Sequence, residues 1–251
     1  MALAWHSGRR LAVGRPTWCA AGLRPVTEED DMAPVCVFDV NETLLDLAAL
    51  DGEFERLFGD RAVRVAWFGQ LLQSAMVATI TDRYTDFGAV GRAALEMTAA
   101  RLGVELSDDD REAVVGGMTR LPAHPEVPGA LGRLAEGGLR LAALTNSTER
   151  VARAQLEHAD IIEAFEVVLS ADAVRRLKPA PEPYRMAADR LGVEVGDVLL
   201  VAAHAWDVAG ALAAGCQAAF VARPGKVPDP LADPPNLVVS DLDELATRLL
   251  T

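Results

Sequence analysis

An α/β fold is predicted, built on a parallel sheet with helices on both faces and a helical insert near its start. Three features of the 251-residue sequence predict it. Beyond residue 125, short apolar runs alternate with helix-length periodic segments, the pattern of parallel strands joined by crossover helices. An earlier apolar run, VCVFD over 35–39, ends on an acid and passes into turn formers, as strands that end at a ligand crevice do. Between that run and the next strand lie about ninety residues without a convincing strand, far more than an ordinary connection needs, so they must form a helical unit of their own.

Residues 1–31 differ in character from the rest. Arg9, Arg10, Arg15 and Arg24 lie among small residues, ahead of an acidic run from Glu28 to Asp31 and then Met32. Arg15 and Pro16 break the apolar centre that a secretory signal needs. A disordered tail or an upstream start extension is expected, with the fold beginning near Met32; the paired arginines leave an export signal open. Strands are expected over 35–39, 139–145, 166–169, 197–202 and 218–221. Helices are expected over 148–158, 181–191, 207–214 and 241–250, with Asn146, Ser147 and Thr148 as capping candidates and Gly192 and Gly215 as stops. Within the insert, Trp67, Leu71, Ala75 and Ala78 recur at helical spacing, and so do Ala89, Ala93 and Met97. The core therefore comprises 32–46 and 125–251, with a cap over 47–124; Pro122, Pro125 and Pro128 mark the return.

Acidic residues outnumber basic ones, 37 to 24, for a net charge of −13. That balance disfavours nucleic acid and anionic membranes as partners, which call for basic patches. A small-molecule substrate fits better, although a solvated acidic surface accounts for the charge without any partner. No apolar run reaches the length of a membrane-spanning helix, and Cys19, Cys36 and Cys216 are too scattered for a disulfide framework. A cytoplasmic protein is expected, and a homodimer is left open.

Four segments should end at one edge of the sheet: Asp39 with Thr43, Thr145 with Asn146, Lys178 in LKPAPEPY, and Asp207 in VAAHAWD. By type alone, Asp39 reads equally as a turn residue, Lys178 as an exposed loop lysine, and Thr145, Asn146 and Asp207 as helix-capping groups. In this order and spacing, however, they resemble the haloacid dehalogenase superfamily, most closely its type II subgroup, the L-2-haloacid dehalogenases. The likeness runs from about Met32 to the C-terminus. It implies a Rossmann-like core with a cap. Asp39 would be a nucleophile that forms an aspartyl ester with a small substrate such as an (S)-2-haloacid. Lys178 would keep it ionised, Asp207 would orient Lys178 and the hydrolytic water, and Thr43, Thr145 and Asn146 would hold the nucleophile and the anionic centre. A carboxylate suits this chemistry, because it is ionised near neutral pH without a base.

The sequence departs from the pattern in places. Metal-dependent phosphatases of the superfamily carry an acid where this chain has Asn41, and usually another where it has Ala203. Without them proton donation to an alcohol and cation binding both suffer, so no cofactor is expected, Mg²⁺ entering only under a phosphatase alternative. The dehalogenases' substrate-gripping arginine is matched by Phe68, and their asparagine and serine near the last motif by His204 and Ala202. Arg64, one helical turn before Phe68, and a protonated His204 are the candidate replacements. Asn41, Phe68, Tyr184, His204, Trp206 and Arg64 are thus the expected substrate-binding residues, and the third alternative is a catalytically impaired binding relative.

Overall fold

The structure, a computed structural model, describes residues 35–251. The expected extension over 1–31, with Cys19, and Met32 lie outside the described residues. Strand β1 (Val35–Phe38) leads into helices α1 (Asp51–Phe58), α2 (Val63–Ile80), α3 (Phe87–Leu102) and α4 (Asp108–Val115). Helix α5 (Val127–Glu136), with Pro128 in its first turn, brings the chain back. There follow β2 (Arg140–Thr145), α6 (Glu149–His158), β3 (Val167–Ser170), α7 (Pro181–Leu191), β4 (Val198–Ala202), α8 (Ala205–Ala214), β5 (Gln217–Val221), β6 (Leu237–Val239) and α9 (Leu242–Leu249).

The six strands are all parallel, in the order β3-β2-β1-β4-β5-β6. The chain builds outward from β1 through β2 and β3, then crosses back to lay β4 on the other side of β1. The carboxyl end of β1 therefore lies at the topological switch point, where loops diverge and leave a crevice. Alternation along the strands feeds two apolar layers. Cys36 and Phe38 of β1 join Leu131 and Leu134 of α5, Leu156 of α6 and Leu245 of α9 on one face. Val35 and Val37 join Tyr184 and Leu191 of α7 and Ala211 of α8 on the other. Gly192 and Gly215 end α7 and α8 in the left-handed conformation, as expected of C-terminal stops. Strand β6 escaped sequence reading because three residues at a sheet edge carry too little pattern. No helix among the described residues is long and apolar enough to cross a membrane.

The insert leaves and rejoins the core through one paired crossing, where Asp46 N–H donates to Pro122 O at 2.8 Å and His124 N–H to Leu44 O at 2.9 Å. Its interior gathers Phe54, Trp67, Leu71, Ala75, Leu95 and Val114, and the Trp67 indole donates to Gly91 O at 3.0 Å. The Trp67–Leu71–Ala75 spacing marks the buried stripe of α2, with Ala78 half-buried beyond it. The spacing in α3 marks the wrong face. Ala93 and Met97 are exposed, and Val90, Ala94, Leu95 and Ala99 are buried instead. Arg92, Glu96 and Arg101 keep that side of α3 in solvent, so Ala93 and Met97 beside them stay exposed and the larger Val90 and Leu95 take the core.

Gly210 links the fold to the crevice. A Cβ there would sit 2.6 Å from Pro179 Cβ, 2.7 Å from Pro179 O and 2.7 Å from the Tyr184 hydroxyl, so only glycine lets α8 lie this close to the loop before α7. Gly210→Ala should destabilise the protein by about 1–3 kcal/mol through overpacking. Gly132→Ala on α5, where a Cβ would meet nothing within 4 Å, should be neutral or gain up to about 1 kcal/mol. Urea unfolding of both variants checks this; equal effects would refute the close packing at Gly210.

Candidate active site

Asp39 follows the last residue of β1, and its backbone N–H donates to Val201 O of β4 at 3.0 Å, which fixes it at the sheet's carboxyl edge. The chain then folds tightly, with Leu44 and Leu45 N–H returning to Val40 O. Glu42 at the apex adopts φ +61°, a left-handed conformation that costs a non-glycine residue on the order of 1 kcal/mol or more. Thr43 turns its hydroxyl back to donate to Asp39 Oδ2 at 2.7 Å and accepts from Ala203 N–H at 2.9 Å. The buried Arg223 donates to Thr43 O at 2.8 Å and pairs with Glu126, so a guanidinium clamps the turn from behind.

Lys178 is buried, with 1 % of its surface exposed, which excludes the loop-lysine alternative. Its three ammonium protons have three acceptors: Asp39 Oδ1 at 2.8 Å, Asp207 Oδ2 at 2.6 Å and Leu144 O at 3.0 Å. Asn146, just past β2, holds the lysine backbone by both ends of its amide. Its Oδ1 accepts from Lys178 N–H at 2.7 Å and its Nδ2 donates to Lys178 O at 3.3 Å. Thr145 Oγ1 accepts from Ser147 N–H at 3.2 Å. Asp207 lies in the first turn of α8, fully buried, and its second oxygen accepts from the Tyr184 hydroxyl at 2.5 Å. Two expectations change here. Tyr184 is a core residue that steadies Asp207 and does not line a substrate cavity. Asp207 acts on Lys178 but has no oxygen facing the cavity with which to hold water.

His204, before α8, places Nδ1 3.1 Å from Asp39 Oδ2 and Nε2 2.9 Å from Glu42 Oε2. Glu42 in turn accepts from Lys226 at 2.5 Å and lies 3.7 Å from Arg64. Burial favours neutral imidazole, but the two carboxylates outweigh it and raise His204 to about 9, so the ring is a cation at neutral pH. Burial also opposes the charge on Asp39, yet Lys178 and His204 hold its carboxyl well below the usual range. Asp207 moves the other way. Burial raises it and the Asp39 charge adds to that, against a single cation and a phenol. The difference between these two acids that share one lysine follows from their partners: Asp39 faces two cations and Asp207 one.

A cavity of about 10 Å³ lies over this cluster, walled by Asp39, Asn41, Thr145, Asn146, Lys178, His204 and Trp206 from the core and by Phe68, Leu72 and Phe87 from the insert. That is room for one water. Phe87 also borders a neighbouring cleft of about 750 Å³ that carries Arg92 and Arg150. No arginine lines the smaller cavity. Arg64 is turned away, donating to Asp51 at 2.5 Å, so it does not replace the guanidinium missing at Phe68. His204 has both ring nitrogens committed to carboxylates, which leaves it no N–H to grip a substrate. Asn41 points its amide oxygen at Gln155, which donates at 2.9 Å. Sequence reading overlooked Glu42, Gln155, Arg223 and Lys226. Gln155 alone carried a signal, a polar residue beside Leu156 on the apolar stripe of α6.

The donor set does not suit a hard cation. All four carboxylate oxygens of Asp39 and Asp207 already accept from Lys178, Thr43, His204 or Tyr184. Among the described residues no group of three or more His, Cys, Asp or Glu side chains is placed to hold a metal ion. The nearby cysteine, Cys216, is buried with its thiol pushed up to about 12, and takes no part.

A family model described as haloacid dehalogenase-like hydrolase matches residues 33–215. An (S)-2-haloacid dehalogenase of Pseudomonas sp. strain YL is 30% identical over 207 residues, which covers 82% of this chain and 89% of that protein. A second, (S)-2-haloacid dehalogenase 1 of Pseudomonas sp. strain CBS-3, is 30% identical over 88% of this chain and 98% of its own length. Among solved structures, the L-2-haloacid dehalogenase of Xanthobacter autotrophicus with chloropropionic acid covalently bound superposes with TM-score 0.80 at 28% identity, covering 86% of this chain and 98% of that one.

The raised His204 has a consequence for stability. The folded state binds its proton more tightly than the unfolded chain does, so the contribution is complete below the ordinary value of 6.5 and lost as pH rises through about 9. Its size is on the order of 3 kcal/mol. His204→Asn should therefore be less stable than the parent at about pH 6, with the gap closing by about pH 10. Urea unfolding across that range measures it, and a gap that stays constant would show that His204 is not the titrating group.

Proposed function

Because the chain belongs to the haloacid dehalogenase-like hydrolase family, we propose that this hydrolase cleaves carbon–halogen bonds in a small 2-haloacid through an ester on Asp39. The observation that carries the reading is the state of Asp39, an ionised, buried carboxylate between an ammonium and an imidazolium at the switch point of the sheet. An oxygen of Asp39 attacks the carbon that bears halogen; the C–O bond forms, the carbon–halogen bond breaks, and its electron pair leaves with the halide. The covalently bound chloropropionic acid in the Xanthobacter relative supports such an ester here. Asp39, Lys178, Thr43, Thr145 and Asn146 are proposed as the residues of this step, with Asp207 and Tyr184 acting through Lys178.

Hydrolysis needs a base, and the arrangement supplies one at the right moment. Esterification removes the negative charge from Asp39, one of the two carboxylates that keep His204 protonated. The ring then gives up the proton at Nδ1 to solvent and keeps the one at Nε2 against Glu42. Nδ1 takes one proton from water as its oxygen bonds to Cγ of Asp39; the Cγ–ester oxygen bond then breaks, the imidazolium Nδ1–H protonates the departing oxygen to give the 2-hydroxyacid, and the new Asp39 carboxyl returns its remaining water proton to Nδ1 as it ionises. His204 and Glu42 thus form the proposed base pair. The filled carboxylate oxygens of Asp39 and Asp207 and the amide at Asn41 weigh against a Mg²⁺-assisted phosphatase.

(S)-2-Chloropropanoate should release chloride without added metal, and Asp39→Asn should lower the rate by about a thousandfold or more. Single turnover in ¹⁸O-water should put label in Asp39 before it appears in excess product. Phosphate release that requires Mg²⁺ and disappears in Asp39→Asn would favour the phosphatase instead. No turnover of haloacids or phosphate esters, with saturable haloacid stabilisation in a melt, would favour the binding relative.

A further inference from the structure

We infer that Phe68 is the positioning residue of His204: its ring, reaching from the insert, presents a face that holds the imidazolium in line between Asp39 and Glu42. The bearing of this contact on catalysis rests on the role proposed for His204 above. Six rings run in one row from the interior of the insert to the core, in the order Phe58, Phe54, Trp67, Phe68, His204 and Trp206, with neighbouring centroids between 5.1 and 6.2 Å apart. Phe68 is the last of them on the insert side and is buried. Its plane is inclined by 31° to that of His204 at 6.1 Å, and Trp206 approaches from the core at 33° and 5.1 Å. Neither contact is edge-on, so ring faces are turned to the histidine. The row also fixes Phe68 in place, because Trp67 behind it is tied by its indole N–H to Gly91 O at 3.0 Å.

The charges around His204 show why such a face matters. Asp39 and Glu42 touch its two nitrogens, but Asp39 is shared with Lys178, Glu42 is shared with Lys226, and Arg64 lies 3.7 Å from Glu42. Three other cations thus compete for the two carboxylates that hold the ring. Burial opposes its charge as well. An aliphatic wall at position 68 would keep water away and leave that opposition uncompensated. An aromatic face carries the negative side of a quadrupole and attracts a cation within about 6 Å of its centre, with no acceptor for Lys178, Lys226 or Arg64 to take over by hydrogen bonding. Stacking also favours one plane for the imidazole, the plane in which Nδ1 meets Asp39 and Nε2 meets Glu42. Phe68 therefore acts through His204, and it ties the state of the proposed base to the seating of the insert.

Fluorination of the Phe68 ring tests the assignment, since each fluorine weakens the negative face while the shape is nearly kept. Phe68 is replaced in the full chain by its 4-fluoro, 3,5-difluoro and 3,4,5-trifluoro analogues, and the His204 imidazole is titrated by NMR, its signal identified with His204→Asn. The midpoint should fall with each fluorine, by about 0.5–1 in pH over the series. Phe68→Leu, an apolar wall without a face, should lower it at least as far. The same analogues at Phe54, two rings further from His204, should leave the midpoint where it is. A midpoint that ignores fluorine at Phe68, or responds equally at Phe54, overturns the assignment. Single-turnover hydrolysis of the Asp39 ester links the contact to catalysis. The acid limb of its pH profile should move to lower pH in step with the titration, because a less favoured imidazolium yields the base sooner. A limb that stays in place while the titration moves overturns the positioning role. Titration that follows fluorine in a protein that turns over no haloacid would keep the contact and sink the dehalogenation reading; haloacid turnover with an unmoved titration would sink the Phe68 assignment alone.

Discussion

The contact on which the site depends is the buried Lys178 ammonium between Asp39 and Asp207, because it starts a line of alternating charge through the crevice. From Asp207 the order is carboxylate, Lys178, Asp39, His204, Glu42 and Lys226, each within 3.1 Å of the next. Stripping water from one such ion costs several kcal/mol, while opposite charges about 4 Å apart recover roughly 4 kcal/mol where the effective dielectric is near 20. One partner would barely compensate a buried ion. Two partners do, and every interior member of the line has two. Removing one therefore exposes its neighbours, and the effects of substitution along the line will not add.

The same line explains why the Asp39 carboxylate stays ionised although it is buried. Lys178 occupies Oδ1 of Asp39, and Thr43 and His204 occupy Oδ2, so donors set the orientation of both oxygens. The elements that carry these donors converge from separate parts of the sequence: the turn after β1, the loop before α7, and the β4–α8 junction. Their meeting point is fixed by sheet order, since β1 lies between β2 and β4. Asn146, at the end of β2, holds the lysine by its backbone and leaves the ammonium free to serve the acids. Gly210 then lets α8, with His204 just before it and Asp207 in its first turn, settle against Pro179 next to that lysine.

This also explains what could be read from the sequence and what could not. The strands and the helical insert were legible because a two-residue period and a long strandless stretch are local properties of the chain. Asp39, Thr43, Lys178 and Asp207 were found by motif order, and in the structure they form one hydrogen-bonded series, Thr43 to Asp39 to Lys178 to Asp207. Glu42 was not, because nothing local distinguishes an acid at a turn apex from a solvated one; its role comes from His204 and Lys226, more than 160 positions away. Arg64 failed for the same reason. Helical spacing puts it on the face of Phe68, but Asp51 competes for the guanidinium and takes it. Tyr184 had two readings by type, and burial selected the core one.

The cavity over the cluster lies where the two parts of the fold meet. Its room for one water lies between the insert's wall of Phe68, Leu72 and Phe87 and the core's wall of Asn146, Lys178, His204 and Trp206. Every charge in the line from Asp207 to Lys226 belongs to the core side, so the alternation does not depend on contacts with the insert. Arg64, on α2, is the group that approaches the line from the insert, 3.7 Å from Glu42. The apolar insert wall screens the cluster from solvent, and the low polarity there strengthens each of these ion pairs.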